Sequence, residues 1–287
     1  NPGLGFLDNV HRQGAGMLDI PGTALATTTV EPGELALGES QAGPATRTLT
    51  LKNGSSAAVT YNLSHVAALS TGANTFTPSF TTSNAAAAFS APSVTVPASG
   101  SASVDVTITP ATAPAKGLYG GYVVLTDASD ASKVYRVPYA GFVGDYQSIQ
   151  VLAPTVNGFP WLTKTSDGSN FSNRPAGATY TMVGLDIPFF LLHLDHQSRR
   201  IRLEAFDAST GKAWHRVSDD QYVERNSTAT GPSAFAWDGN TRAGNRTYTV
   251  PNGQYVVKVS VLKALGDDSN PAHWETWTSP VITIARP

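Results

Sequence analysis

The chain contains no cysteine. That absence excludes disulfide staples, thiol nucleophiles and cysteine-based zinc sites. It leaves the compartment open, because a chain of 287 residues buries enough core to need no covalent brace. Charge is scarce as well: Asp, Glu, Lys and Arg make up 14%, against about 25% in an average soluble protein. The net charge is −2 and the basic residues are scattered, which excludes the concentrated basic face of a nucleic-acid binder. No apolar run nears the roughly 18 residues of a membrane-spanning helix. The most apolar piece, Ile187-Pro188-Phe189-Phe190-Leu191-Leu192, is strand-sized and holds a proline.

Ser, Thr, Ala and Gly fill the positions that charges leave, and abundant Thr and Val suit half-buried strands. Period-two alternation sets in at Arg47-Thr48-Leu49-Thr50-Leu51-Lys52, with leucines on one face and threonines on the other. Asn53-Gly54 then reads as a turn, with Ala58–Leu63 returning as the hairpin partner. After a Thr/Asn/Ala-rich stretch (71–91), Val94–Pro97, Val104–Pro110, Gly120–Leu125 and Val134–Tyr139 continue as strands, the last two joined by the acidic turn Asp127–Asp130. Short strands at this spacing, with no 3.6-residue period between them, predict an immunoglobulin-like sandwich.

The second half opens on a Pro- and Gly-rich stretch (153–178) expected to be loop. Alternation resumes at Arg200–Phe206, where Ile201, Leu203 and Ala205 share a face, and Asp207–Lys212 turns the chain back. Phe235-Ala236-Trp237-Asp238-Gly239 and Val250–Val259 follow, with Trp237 expected to plug a second sandwich. Trp277–Ile284 reads as one final strand.

The order of several motifs carries a resemblance. Gln13-Gly14-Ala15-Gly16-Met17-Leu18-Asp19 is similar to the stretch that closes the catalytic domain of large secreted subtilisin-like serine proteases (subtilases). Thr48–Asn53, Val94–Ser101, Tyr119–Leu125 and Val137–Asp145 resemble, in sequence, the fibronectin-III-like domain that follows it there. The pairing of Phe235–Gly239 with Pro251–Tyr255 is similar to an immunoglobulin-like module of the flagellar hook-capping protein and of the rear domains of large subtilases. The resemblance implies an all-β chain: residues 1–30 as catalytic-domain tail and linker, 31–146 as a fibronectin-III-like sandwich, and 147–287 as a second immunoglobulin-like sandwich. It also implies secretion, a subtilase catalytic domain as partner and a protein substrate. Asn1 in place of an initiator Met, with no signal peptide in view, gives the expectation of a processed product or a fragment. The apolar residues Leu4, Phe6, Leu7, Val10 and Leu18 would then pack on a catalytic domain rather than on this chain.

A subtilase carries its Asp, His and Ser in Asp-Ser/Thr-Gly, His-Gly-Thr and Gly-Thr-Ser-x-Ala. None of these occurs in the chain, nor does the Gly-x-Ser-x-Gly elbow, so no catalytic residue is assigned. Gly14 and Gly16 lack the strand, helix and third glycine of a phosphate cradle and read as a turn. His193, Asp195 and His196 are the metal candidates, with His215 and Asp207 as the further ligands a zinc site would need. A polar strand end is the plainer expectation for them, and no cofactor is expected. Asp219-Asp220 and Asp267-Asp268-Ser269-Asn270 offer oxygen ligands suited to calcium but do not match its twelve-residue loop, so they read as solvated turns. Trp274 and Trp277 are the candidate binding pair, for glycan or peptide; Trp161 and Trp214 are read as packing. Arg199-Arg200 reads as a solvated strand edge rather than a dibasic processing site. Five sequons, at Asn53, Asn62, Asn170, Asn226 and Asn245, are glycosylation candidates. The alternative to a protease accessory is a secreted adhesion module that binds glycan or protein directly.

Overall fold

The computed structural model describes residues 6–287; Leu4 lies outside them. Regular secondary structure in the chain is almost all strand, and the chain divides into two compact units, residues 1–146 and 147–287.

The first unit begins with one helical turn, α1 (Val10–Gln13), and a short helix, α2 (Ile20–Leu25). Its strands are β1 (Thr28–Glu31), β2 (Leu35–Glu39), β3 (Ala45–Asn53), β4 (Val59–Ala67), β5 (Leu69–Thr71), β6 (Phe80–Thr82), β7 (Ala86–Phe89), β8 (Ser93–Val96), β9 (Ser101–Thr109), β10 (Leu118–Asp127) and β11 (Val134–Phe142). One sheet runs β1-β3-β9-β7 and the other β2-β11-β10-β4-β8. Leu49 and Leu51 of β3 and Val104, Val106 and Ile108 of β9 are buried between them. On the outer face the same two strands carry a ladder of directly opposed polar side chains: Thr46 with Thr107 at 2.9 Å, the Thr48 hydroxyl donating to the Asp105 carboxylate at 2.7 Å, and Thr50 with Ser103 at 3.1 Å. Hydroxyl pairs across strands do here what ion pairs do on a more charged sheet.

β3 and β4 do not form the expected hairpin; they belong to opposite sheets. The Asn53 side chain is buried at the crossing, donating from Nδ2 to the Ala57 and Pro97 carbonyls at 2.7 and 3.2 Å and accepting from Ser55 N at 2.9 Å. Gly54 N is spent on Thr27 O at 2.7 Å. Two facing sheets demand the same alternation as a hairpin, so the pattern alone does not separate the two.

β10 is buried on both faces. Tyr119, Val123 and Leu125 point to the main core, whereas Tyr122 and Val124 form a second cluster with Val10 and Ala68, joined by Leu7. Close approach explains two of its glycines. A Cβ at Gly120 would lie 2.8 Å from Val10 Cγ2, and one at Gly121 would collide with the Tyr139 phenol. Val10 and Leu7 therefore pack on this sandwich, contrary to the expectation that they wait for another domain.

The second unit contains β12 (Trp161–Thr165), β13 (Phe171–Asn173), β14 (Ala178–Tyr180), β15 (Phe189–Leu192), β16 (Ser198–Asp207), β17 (Ala213–Val223), β18 (Ser233–Ala236), β19 (Asn240–Ala243), β20 (Arg246–Thr249), β21 (Gly253–Lys263), β22 (Trp274–Thr278) and β23 (Ile282–Ile284). One sheet is β13-β12-β15-β18; the other is β14-β23-β21-β16-β17-β19-β20, with β22 also on β21. The stretch expected to be loop thus supplies β12 and β13. The expected last strand is two, interrupted at Ser279, whose N–H donates to Val257 O at 2.9 Å and whose Oγ accepts from Val257 N at 2.9 Å. Ile201, Leu203 and Ala205 face the core with Val257, Val259 and Val261. Trp237 is fully buried, edge-on to Tyr255, with its indole N–H donating to Asn240 O at 2.9 Å.

Candidate functional site

Residues 14–27 are exposed without interruption. Within them Met17 is 98% exposed, Leu18 78%, Ile20 68% and Leu25 81%. The segment is ordered by local chemistry. Asn9 caps α1 by accepting from His11 N at 2.9 Å, and is itself anchored by donating to Leu69 O at 2.7 Å. Gly14 N closes the turn on Val10 O at 2.7 Å, and the Tyr122 hydroxyl donates to Gly14 O at 3.0 Å. Asp19 caps α2 by accepting from Gly22 N at 3.0 Å. Gly14 and Gly16 hold positive φ angles, 57° and 116°, which glycine adopts without strain. Four large apolar side chains are thus presented to solvent on capped backbone. Beside them Phe6, Asp8, Arg12, Leu69 and Phe80 line a groove, where the Arg12 guanidinium lies 5.4 Å from the Phe80 ring centre.

Trp274 and Trp277 do not form one platform. They sit three residues apart on β22, and strand residues an odd number apart face opposite ways. Trp274 lies under the Arg202 guanidinium, 5.2 Å away, and donates to Asp268 O at 3.0 Å. Trp277 packs edge-on to Phe190 and instead lines a cleft with Trp161, Pro160, Pro175 and Pro280. Alternation along β22 separates the first pair at the level of sequence; no sequence signal joins Trp161 to Trp277.

His193 is buried, and both ring nitrogens are engaged: Nδ1 lies 2.7 Å from Gly231 O and Nε2 2.9 Å from Asp195 Oδ1. His196 does not join them in a metal-competent cluster, and no group of three or more His, Cys, Asp or Glu suited to a metal occurs among the described residues. Asp207 is committed to its own turn, accepting from Ser209 and Thr210, and these bonds hold its carboxyl down to about 2. His215 rests against the Tyr248 ring. Asp219 is taken by arginines: Arg200 binds it with two nitrogens at 2.5 and 2.7 Å, and Arg216 at 2.6 Å. Asp267 caps its own turn through Ser269, and Asp268 pairs with Arg200 at 2.8 Å. Arg199 and Arg200 lie in β16, which is paired on both sides by β17 and β21 and is no edge.

Residues 35–140 match the family model of the Fn3-like domain. The first unit carries an Fn3-like domain. No curated protein matches the chain. Among solved structures, it is similar to a PapD-like domain of human CEP192, at 17% identity over 44% of this chain and 89% of that one, with a TM-score of 0.31. It is also similar to the chaperone–tip adhesin complex of CFA/I fimbriae, at 9% identity over 88% and 99% with a TM-score of 0.33. A third likeness is to WR4, an MSP family member of C. elegans, at 11% identity over 42% and 99% with a TM-score of 0.24. Within the Fn3-like domain, His65 Nε2 lies 2.7 Å from the Tyr139 hydroxyl. Its two sequons differ: Asn62 is exposed, whereas Asn53 is 3% exposed with its amide bonded inside. In the second unit Asn170 and Asn245 are exposed, while Asn226 is buried and bonded to Leu194 N and Ser233. Asn53 and Asn226 therefore serve the fold rather than offering themselves as glycan acceptors.

Proposed function

We propose that the chain is the non-catalytic C-terminal region of a secreted subtilisin-like serine endopeptidase. In this reading the Fn3-like domain supports the catalytic domain, and its loops help frame the approach of a protein substrate. The observation that carries the reading is the exposed apolar strip Met17–Leu25, in the segment whose sequence resembles the close of a subtilase catalytic domain. Single exposed apolar residues need no explanation, but four in nine positions beside a folded sandwich suit a surface built to be covered. Fn3-like domains of this family occur in subtilase C-terminal regions among others. Exposed Asn62, Asn170 and Asn245 suit glycosylation in a secreted product.

The purified chain is expected to leave casein intact over hours. Hydrolysis that a serine-directed inhibitor abolishes would place the catalytic groups here and overturn the reading. A second reading, a secreted binding module, is favoured by the Trp161–Trp277 cleft of the second unit.

A further inference from the structure

Trp161 and Trp277 come from different sheets of the second unit, β12 and β22, yet they line one cleft of about 420 Å³. That volume lies within the range of roughly 300–1,000 Å³ usual for ligand sites. Both rings are only partly buried, and three prolines, Pro160, Pro175 and Pro280, share the lining. No charged side chain lines the cleft, so its chemistry suits an uncharged ligand.

The hydrogen-bonding groups are unequal in a way that narrows the ligand further. Two carbonyls of the lining are already spent: Gly158 O accepts from Trp161 Nε1 at 3.1 Å and Pro280 O from Ser279 Oγ at 2.9 Å. The Trp277 indole N–H and the Asn173 side-chain amide, by contrast, have no partner among the described residues. The cleft thus offers flat aromatic faces, a dedicated donor in the Trp277 N–H and an Asn173 amide able to donate beside it. A sugar displays hydroxyls that need acceptors as much as donors, and the lining holds no carboxylate to receive them. A polyproline II segment displays the converse. Its carbonyls are unpaired, its prolines carry no N–H, and its pyrrolidine rings stack on aromatic faces in aromatic-lined grooves. We propose that this cleft binds an uncharged, proline-rich segment in the polyproline II conformation. Trp161 and Trp277 stack on its rings, and the Trp277 indole N–H and Asn173 donate to its carbonyls.

Fluorescein-labelled decaproline, titrated into the whole 287-residue chain and read by anisotropy, tests the proposal. Saturable binding is expected, weakened at least about tenfold by Trp277→Ala, as befits a central aromatic contact, and unchanged by Trp274→Ala on the opposite face. Trp277→Phe keeps a ring against Phe190 and serves if the alanine variant misfolds; it should bind at an intermediate level. In the nitrogen–proton spectrum the Trp277 indole resonance should shift more than that of Trp161, whose N–H already has Gly158. Absence of saturation, equal binding of a glycine–serine decamer, or equal loss in Trp274→Ala overturns the proposal. So does saturation by cellohexaose where decaproline fails, which would make the cleft a glycan site.

Discussion

At the scale of single residues, the Fn3-like domain partly buries a hydrogen-bonded His–Tyr pair. His65 is half-buried with its ring stacked on Tyr139, 5.7 Å between centres, and burial holds its pKa below the ordinary 6.5. Tyr139 is raised above its ordinary 10.0, first by burial and then by the nearby Tyr119 phenol. The signs follow from proton linkage. The unfolded chain accepts a proton on His65 before the folded chain does, so stability is complete above about pH 6.5 and falls as pH drops below it. The unfolded chain loses the Tyr139 proton first, so stability is complete below about pH 10 and falls as pH rises past it. Carboxylates such as Asp207, held down to about 2, are ionised in both folded and unfolded chains through the mild acid window and add no pH dependence there. Urea midpoints at about pH 5, 7.5 and 10.5 should peak at the middle value, and His65→Gln should reduce the acid-side loss, the remainder belonging to His11, which burial also lowers. An unchanged acid limb in that variant contradicts the assignment.

At the scale of elements, the opening segment divides in two. Val10 is buried on Tyr122 and Val124, whereas Leu18 and Ile20, a few residues on, touch no core. Val10→Ala should cost the first unit roughly 1.5–3 kcal/mol. Leu18→Ser with Ile20→Ser should move it by less than about 0.5 kcal/mol, the usual effect at an exposed surface. Equal losses in urea unfolding would show that the strip already packs on this chain. The strands themselves were legible wherever one face is buried and the other is polar, with hydroxyls in β3 and β9 and charges in β16. The crossing at Asn53 was not, because its determinant is a buried side-chain amide bonded to residues more than forty positions away. β7 escaped because alanines carry little alternation, and β12 because prolines surround it. The candidate site was legible in kind but not in membership. Tryptophans marked it, yet Trp277 finds Trp161 through the fold and not through its neighbour Trp274.

At the scale of the whole molecule, the scarcity of charge and the all-β architecture have one cause. Sheets that bury one face and pair hydroxyls across the other need few ion pairs, and the closest ones join neighbouring segments of the second unit: Lys164 with Asp186 at 2.7 Å, and the arginines around Asp219. The first unit follows this rule most closely, whereas the second, built around Trp237, carries most of the ion pairs. What distinguishes the chain is an apolar strip facing solvent in a segment that resembles the close of a subtilase catalytic domain. The most direct test of that reading is to sequence the transcript upstream of the Asn1 codon. The expected result is one open reading frame carrying Asp-Ser/Thr-Gly, His-Gly-Thr and Gly-Thr-Ser-x-Ala in that order. A frame that continues upstream through several hundred codons without them, or that begins at the Asn1 codon, contradicts it.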